Sequence, residues 1–112
     1  GTNGGNTEEN LSQLVEYIRS QGSIPILNNI PSNEIGSQVP VNEVIERVRK
    51  KYKLKGARFD VATSLDNDGK NVDNSTMYFE DYEWGKIYHH PNVKGSLQMY
   101  QQTLIDIPEI YR

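Results

Sequence analysis

Ile24-Pro25-Ile26-Leu27 is a short apolar run without alternation, and it follows Gly22. Such a run is typical of a parallel strand that is covered on both faces. Pro25 belongs near the start of that strand, because its missing backbone donor costs least there. We therefore predict a buried parallel strand at residues 24–27, and the flanking sequence indicates what lies beside it.

A helix is predicted at residues 7–21, directly before this run. Its apolar residues recur at helical spacing and form one stripe, which consists of Leu11, Leu14, Val15 and Ile18. Thr7 is suited to cap the free amides at the start, and Gly22 fits the left-handed position after the end. Both ends of the first helix are therefore marked in the sequence.

A second helix, a second strand and a third helix follow. The second helix begins at Val41 and has an apolar stripe of Val44, Ile45, Val48 and Tyr52. The second strand is predicted at residues 57–62, because Gly56 ends the helix before it. The last helix is predicted at residues 93–105, with a stripe of Val93, Leu97, Tyr100 and Leu104.

The order of elements is helix, strand, helix, strand, long aromatic loop and helix, which is the alternation of a parallel α/β sheet. We predict a partial flavodoxin-like, three-layer fold in which two parallel strands pair and three helices cover them. In this fold the run at 24–27 pairs with residues 59–62. Two strands cannot complete such a sheet, so we expect an open strand edge and uncovered apolar helix faces.

Composition limits the classes of protein to which the chain can belong. Its 112 residues suit one domain, and an apolar share of 35% predicts a thin core. With 12 basic and 15 acidic residues, the charge argues against nucleic-acid binding. No apolar run approaches the roughly 20 residues of a membrane span, and the chain has no cysteine. We expect residues 1–112 to form one incomplete domain that binds neither nucleic acid nor membrane.

Two short segments near opposite ends of the chain stand out as candidate sites. The first is Gly1-Thr2-Asn3, directly before the first helix. The second is His89-His90-Pro91-Asn92-Val93-Lys94-Gly95, at the start of the last helix. In an open α/β sheet, ligands bind at the carboxyl ends of the strands, where helices begin. Both segments are therefore expected on one rim of the predicted sheet.

These segments resemble two sequence blocks of the SGNH (GDSL-type) hydrolase superfamily. Gly1-Thr2-Asn3 matches the block Gly-x-Asn-Asp up to its last position, where Gly4 stands. His90-Pro91 matches the second half of the block Asp-x-x-His-Pro. The resemblance implies the C-terminal half of a serine-type esterase or acylhydrolase, whose nucleophilic serine and oxyanion glycine lie in upstream blocks that this chain lacks. We expect this half alone to be inactive.

The resemblance also implies roles for individual residues. Asn3 would donate to the oxyanion, and His90 would be the general base that accepts the serine proton. Ile87 stands three residues before His90, where the family has its orienting aspartate. Asp81 is the candidate replacement if residues 82–88 are an insertion. A main-chain carbonyl that orients the ring, or a degenerate and inactive site, are the alternatives.

Neither a cofactor nor a metal site is indicated. His89 and His90 lie near Glu80, Asp81 and Glu83 in sequence, but adjacent side chains of an extended chain point in different directions. The acidic segment 66–74 resembles a calcium loop, yet its twelfth position falls on Ser75, so the bidentate carboxylate is missing. We expect a polar surface turn there.

An aromatic set precedes the histidines, and it consists of Tyr78, Phe79, Tyr82, Trp84 and Tyr88. It suits either packing under a long loop or a platform on which sugars stack. The expected partners are a small ester or an acylated carbohydrate, and the missing N-terminal half or a second chain at the strand edge. The rival hypotheses are a noncatalytic carbohydrate-binding or interaction module and, from the basic cluster at residues 47–55, an interaction helix.

Overall fold

Helices form most of the secondary structure in residues 7–111, the part of the chain that the computed structural model describes. In chain order the elements are α1 (Glu8–Ser20), α2 (Gln38–Lys51), α3 (Phe59–Ala62), β1 (Met77–Tyr82), β2 (Gly85–Pro91) and α4 (Val93–Asp106). Short 3-10 turns lie at Leu65–Asn67, Asn74–Thr76 and Pro108–Tyr111. The mixed α/β class that the sequence predicts is confirmed.

The three long helices lie where their periodicity places them. Thr7 caps α1 by accepting a hydrogen bond from the backbone amide of Asn10 at 3.1 Å. Gly22, with φ of 81°, has the left-handed conformation expected just after this helix. The second helix, α2, begins at Gln38, three residues before the predicted start at Val41, and it packs against α1.

The predicted two-stranded parallel sheet is wrong, and residues 59–62 form helix α3 instead of a strand. Residues 27–29 do run parallel to residues 55–58, but they form only one β-bridge among the described residues, between Asn29 and Arg58. Leu27 N–H donates to the Lys55 carbonyl (3.0 Å), and Asn29 N–H donates to the Ala57 carbonyl (2.9 Å). A second bridge would need Ala57 N–H to donate to the Leu27 carbonyl.

Side chains take the backbone groups that this second bridge needs. Ala57 N–H donates to Oδ1 of Asn28 at 2.8 Å, and the Leu27 carbonyl accepts from the Arg49 guanidinium at 3.1 Å. Gly56 lies at this crossing, where a Cβ atom would overlap the Leu27 carbonyl oxygen. The two segments are thus held closely together without forming a ladder.

The sheet of the described residues is an antiparallel hairpin made by β1 and β2, where the sequence predicts an aromatic loop. Phe79 pairs with Tyr88, Glu80 with Ile87, and Asp81 with Lys86. Loop residues fasten the outer edge of β2, because Glu34 accepts from Tyr88 N–H through its carboxylate (2.8 Å) and donates its own N–H to the Tyr88 carbonyl (2.9 Å).

The core is small and unusually polar, and Asn29 lies at its centre. This side chain donates through Nδ2 to Glu46 (3.0 Å) and to Asp60 (2.9 Å), while its Oδ1 accepts from Arg49 (2.7 Å). The carboxyl of Asp60 is buried, and this desolvation raises its pKa although the bond from Asn29 opposes the rise. Hydrogen bonds between side chains therefore provide much of the stabilisation that apolar packing provides in other protein cores.

Several apolar faces stay in contact with solvent. The α4 stripe is exposed at Val93, Leu97, Tyr100 and Leu104, and Ile24, in the strand predicted to be covered on both faces, is 89% exposed. No helix within residues 7–111 has the length and apolarity needed to cross a membrane. The described residues thus leave apolar surface that they cannot cover themselves.

Gly95 in the first turn of α4 packs directly against the turn Asn74–Thr76, and a Cβ atom there would overlap the Thr76 carbonyl oxygen. We expect Gly95→Ala to destabilise the fold by about 2 kcal/mol through overpacking. Ser96→Ala, one residue further along and exposed, should change stability by less than about 0.5 kcal/mol. Urea unfolding of both variants measures the difference, and equal stabilities would contradict this packing.

The raised pKa of Asp60 predicts how stability depends on pH. Because the folded state binds this proton more tightly than the unfolded state, the stabilisation from Asp60 is complete below the unfolded pKa and is lost as pH rises through the folded pKa. In urea unfolding at several pH values, wild type should therefore lose stability relative to Asp60→Asn as pH rises from about 4 to 7. A parallel pH dependence of the two proteins would contradict the burial of this carboxyl.

Candidate active site on the hairpin

A β-bulge in β2 brings both histidines to one face of the hairpin. Met77 pairs with Pro91 and Phe79 with Tyr88, so Tyr78 alone lies opposite both His89 and His90. Such a bulge interrupts the strict alternation of side chains. The expectation that adjacent histidines point in different directions is therefore wrong, and their ring centroids lie 4.5 Å apart at an interplanar angle of 75°.

His90 makes the shortest polar contact of the site. Its Nδ1 lies 2.7 Å from Oε1 of Glu80, one strand away. All hydrogen bonds between the His90 ring and the described residues involve Nδ1, and the side chain is 58% exposed. Nε2 is therefore accessible from solvent, while Nδ1 is held by a carboxylate.

Tyr82 connects the two histidines. Its hydroxyl lies 3.2 Å from Nδ1 of His89 and 3.3 Å from Nδ1 of His90. These contacts are satisfied when His90 Nδ1–H donates mainly to Glu80 and the Tyr82 hydroxyl donates to an unprotonated Nδ1 of His89. In the neutral His90 ring, a proton on Nδ1 leaves Nε2 without one and able to accept one.

His89 is the less exposed of the two histidines. Desolvation lowers its pKa below the ordinary value, and the neighbouring His90 lowers it further, whereas Glu80 acts in the opposite direction. A neutral His89 suits the acceptor role that the hydrogen-bond network gives it. The site thus keeps one neutral ring beside a ring that is paired with a carboxylate.

Asp81, the carboxylate that the sequence suggests for orienting His90, lies elsewhere. It forms an ion pair with Lys86 at 3.4 Å, and its side chain is 76% exposed. Because neighbouring residues of a strand point to opposite faces, Asp81 and Glu80 lie on different sides of β1. The structure brings Glu80 rather than Asp81 to His90. Ile87 lies opposite Glu80 in the register.

The segment after His90 fixes the position of the site on the fold. Asn92 caps α4 by accepting from Gly95 N–H at 2.9 Å, and its Nδ2 donates to the Ser75 carbonyl at 2.9 Å. The hairpin base and the start of α4 are thereby locked together. Asn3, the predicted oxyanion donor, lies outside the described residues.

Metal chemistry gains no support from the arrangement. Within the part of the chain that the structure describes, no three histidine or acidic side chains converge in a way that could hold a metal ion. The acidic segment 66–74 forms turns instead, in which Asp68 accepts hydrogen bonds from the backbone amides of Lys70 (2.8 Å) and Asn71 (3.0 Å).

Glu80 and Tyr82 are site residues that sequence reasoning missed. A sequence signal for them exists, because residues 78–82 and 86–89 are rich in tyrosine and phenylalanine, and Gly85 marks a turn between them. A hairpin across this turn places Glu80 and Tyr82 on the same face of β1. The bulge that adds His90 to that face has no comparable signal in one sequence.

Comparison with known proteins identified no relative of this chain. No family model, no curated protein and no solved structure matches the chain.

The pKa of His89 offers a direct test of the site geometry. We expect it to rise in His90→Ala, because the neighbouring ring that lowers it and part of the surrounding protein are removed. It should fall in Glu80→Gln, because a nearby negative charge is lost. NMR titration of the His89 ring protons measures both shifts.

Asp81→Asn is the matched control for this titration, because it removes the same charge one residue away on the other face of β1. This variant should leave the His89 pKa nearly unchanged. Equal shifts in Glu80→Gln and Asp81→Asn would show that Glu80 is not the carboxylate beside the histidines.

Proposed function

We propose that this chain is the C-terminal part of an SGNH-type serine hydrolase of carboxylic esters, in which His90 is the general base. The observation that carries the proposal is the 2.7 Å contact between His90 Nδ1 and Glu80, which leaves Nε2 free toward solvent. A histidine oriented by a carboxylate through Nδ1 is the arrangement that serine hydrolases use to activate a hydroxyl. In this proposal Glu80 has the orienting role that the sequence suggests for Asp81.

The proposed chemistry begins with a serine supplied from outside residues 7–111. Its oxygen forms a bond to the ester carbonyl carbon while its proton passes to Nε2 of His90. Glu80 stabilises the imidazolium that results. The tetrahedral intermediate then breaks its bond to the alcohol, which takes the proton from Nε2, and a water molecule repeats the sequence to release the acid.

Asn3 is the proposed oxyanion donor, because Gly1-Thr2-Asn3 resembles the Gly-x-Asn-Asp block of the family. A donor aimed at the developing negative charge contributes most when water is excluded. The exposed imidazole of His90 needs a second surface to exclude water in this way.

The uncovered apolar surface supports a site that is completed by further polypeptide. The α4 stripe is exposed along its length, and Ile24 and Ile26 project into solvent beside the single parallel bridge. An N-terminal half of the same domain would add strands at that edge, as the SGNH resemblance implies.

The test combines this chain with a serine-bearing N-terminal half, in one polypeptide or by complementation, and measures hydrolysis of p-nitrophenyl acetate. The chain alone should show no serine-dependent turnover. In the combined protein, His90→Ala and Glu80→Gln should each lower kcat by about 10^4-fold, because the base or its orienting carboxylate is lost. Asn3→Ala should lower kcat by about 10^2- to 10^3-fold.

Asp81→Asn and His89→Ala are the controls for this assay, and each should retain kcat within about threefold. Strong loss in Asp81→Asn with normal activity in Glu80→Gln would return the orienting role to Asp81. Full activity in His90→Ala, or no ester hydrolysis by the combined and folded protein, would overturn the proposal.

A further inference from the structure

Tyr82 and Trp84 form a stacked aromatic pair beside the histidines. Their ring centroids lie 5.1 Å apart, the planes differ by only 14°, and Trp84 is 64% exposed. Only one face of the indole is covered by Tyr82. Among the residues that the structure describes, no other ring or cation packs on Trp84.

The indole is supported on one face by Tyr82, which is itself held by the histidines. Tyr82 is fixed by its hydroxyl contacts to His89 and His90, and its ring also packs edge-on against His89 at 6.0 Å. An aromatic side chain that is already ordered loses little entropy when a ligand stacks on it. Trp84 therefore presents a flat and supported apolar surface next to the proposed base.

A second stacked pair lies on the opposite face of the hairpin and, unlike Trp84, has a cation beside it. Phe79 stacks on Tyr88 with centroids 4.7 Å apart, and Lys86 Nζ lies 5.8 Å from the Phe79 ring centroid. Phe79 is nearly as exposed as Trp84, at 56%. It therefore serves as a matched control, because it is a stacked and exposed ring on the other face of the hairpin with a lysine beside it.

Charge around Trp84 disfavours an anionic ligand. Of the three carboxylates at residues 80–83, Asp81 is paired with Lys86, and Glu80 is hydrogen-bonded to His90. The negative charge of Glu80 and Glu83 repels an anion. A neutral ring whose C–H bonds carry partial positive charge suits the negative face of the indole, and its hydroxyl groups remain hydrated.

We propose that the open face of Trp84 is a stacking subsite for a pyranose ring, and that the ester cleaved at His90 is an ester of a carbohydrate. The assignment of the ester rests on the proposed function, whereas the stacking subsite is a property of the hairpin itself. Tyr82 is a positioning residue in this subsite, since it supports Trp84 from the side of the histidines.

The chain contains a single tryptophan, so its intrinsic fluorescence reports on Trp84 alone. Titration of the chain with cellotetraose, whose equatorial substituents leave flat C–H faces, should change this fluorescence with a dissociation constant of about 1 mM. Mannotetraose tests whether an axial hydroxyl weakens the stacking.

Variants are compared by amide chemical shifts in the same titration, because Trp84→Ala removes the fluorophore. Trp84→Ala should weaken binding at least about tenfold. Phe79→Ala should bind as wild type, and Trp84→Phe should bind with intermediate affinity because it keeps a smaller ring. Before sugar is added, amide shifts of the three variants that change only around the substituted residue verify that the hairpin remains folded.

No binding of either tetrasaccharide at 20-fold above about 1 mM would overturn the subsite, as would equal losses in Trp84→Ala and Phe79→Ala. A fluorescence response to choline chloride without one to sugar would replace it with a cation site. Binding does not require the serine, so sugar binding by a protein that hydrolyses no ester would support the subsite while refuting the proposed hydrolase.

Discussion

The amide of Asn29 is the polar contact on which most of the described fold depends. Asn29 itself follows the apolar run at residues 24–27, and its side chain forms hydrogen bonds with Glu46 and Arg49 of α2 and with Asp60 of α3. It therefore joins three parts of the chain. Two of these partners, Arg49 and Asp60, are largely buried, and loss of a bond to a buried ionisable group costs more than loss of a bond to an exposed one. The small apolar core could not by itself fix how these segments cross.

A few buried residues and hydrogen bonds likewise hold the hairpin in place, although its site lies near the surface. Met77 and Thr76 are buried at its base, Glu34 fastens the outer edge of β2, and Asn92 ties its end to α4. Between these anchors a single bulge turns His90 toward Glu80. The hairpin is thus attached at its base and along the edge of β2, while His90 stays exposed, so a further surface would have to exclude water from it.

Sequence periodicity predicted the long helices because their caps and apolar spacing are local features, as at Thr7 and Gly22. It failed for the sheet because the outcome depends on which groups compete for a few backbone bonds. Asn28 and Arg49 end the parallel ladder after one bridge, a competition that no pattern along the chain reveals. For the site, the choice between Glu80 and Asp81 depends on strand register, and their positions in sequence cannot decide it.

The protonation state of the His90 ring tests the central claim most directly. In two-bond ¹H–¹⁵N NMR spectra of the chain above the pH at which the ring is charged, Nδ1 of His90 should have the chemical shift of a protonated nitrogen and Nε2 that of a bare one. Glu80→Gln should weaken this preference, whereas Asp81→Asn should not. A proton on Nε2 with a bare Nδ1 in wild type would contradict the account, because His90 could then not accept a proton from a serine.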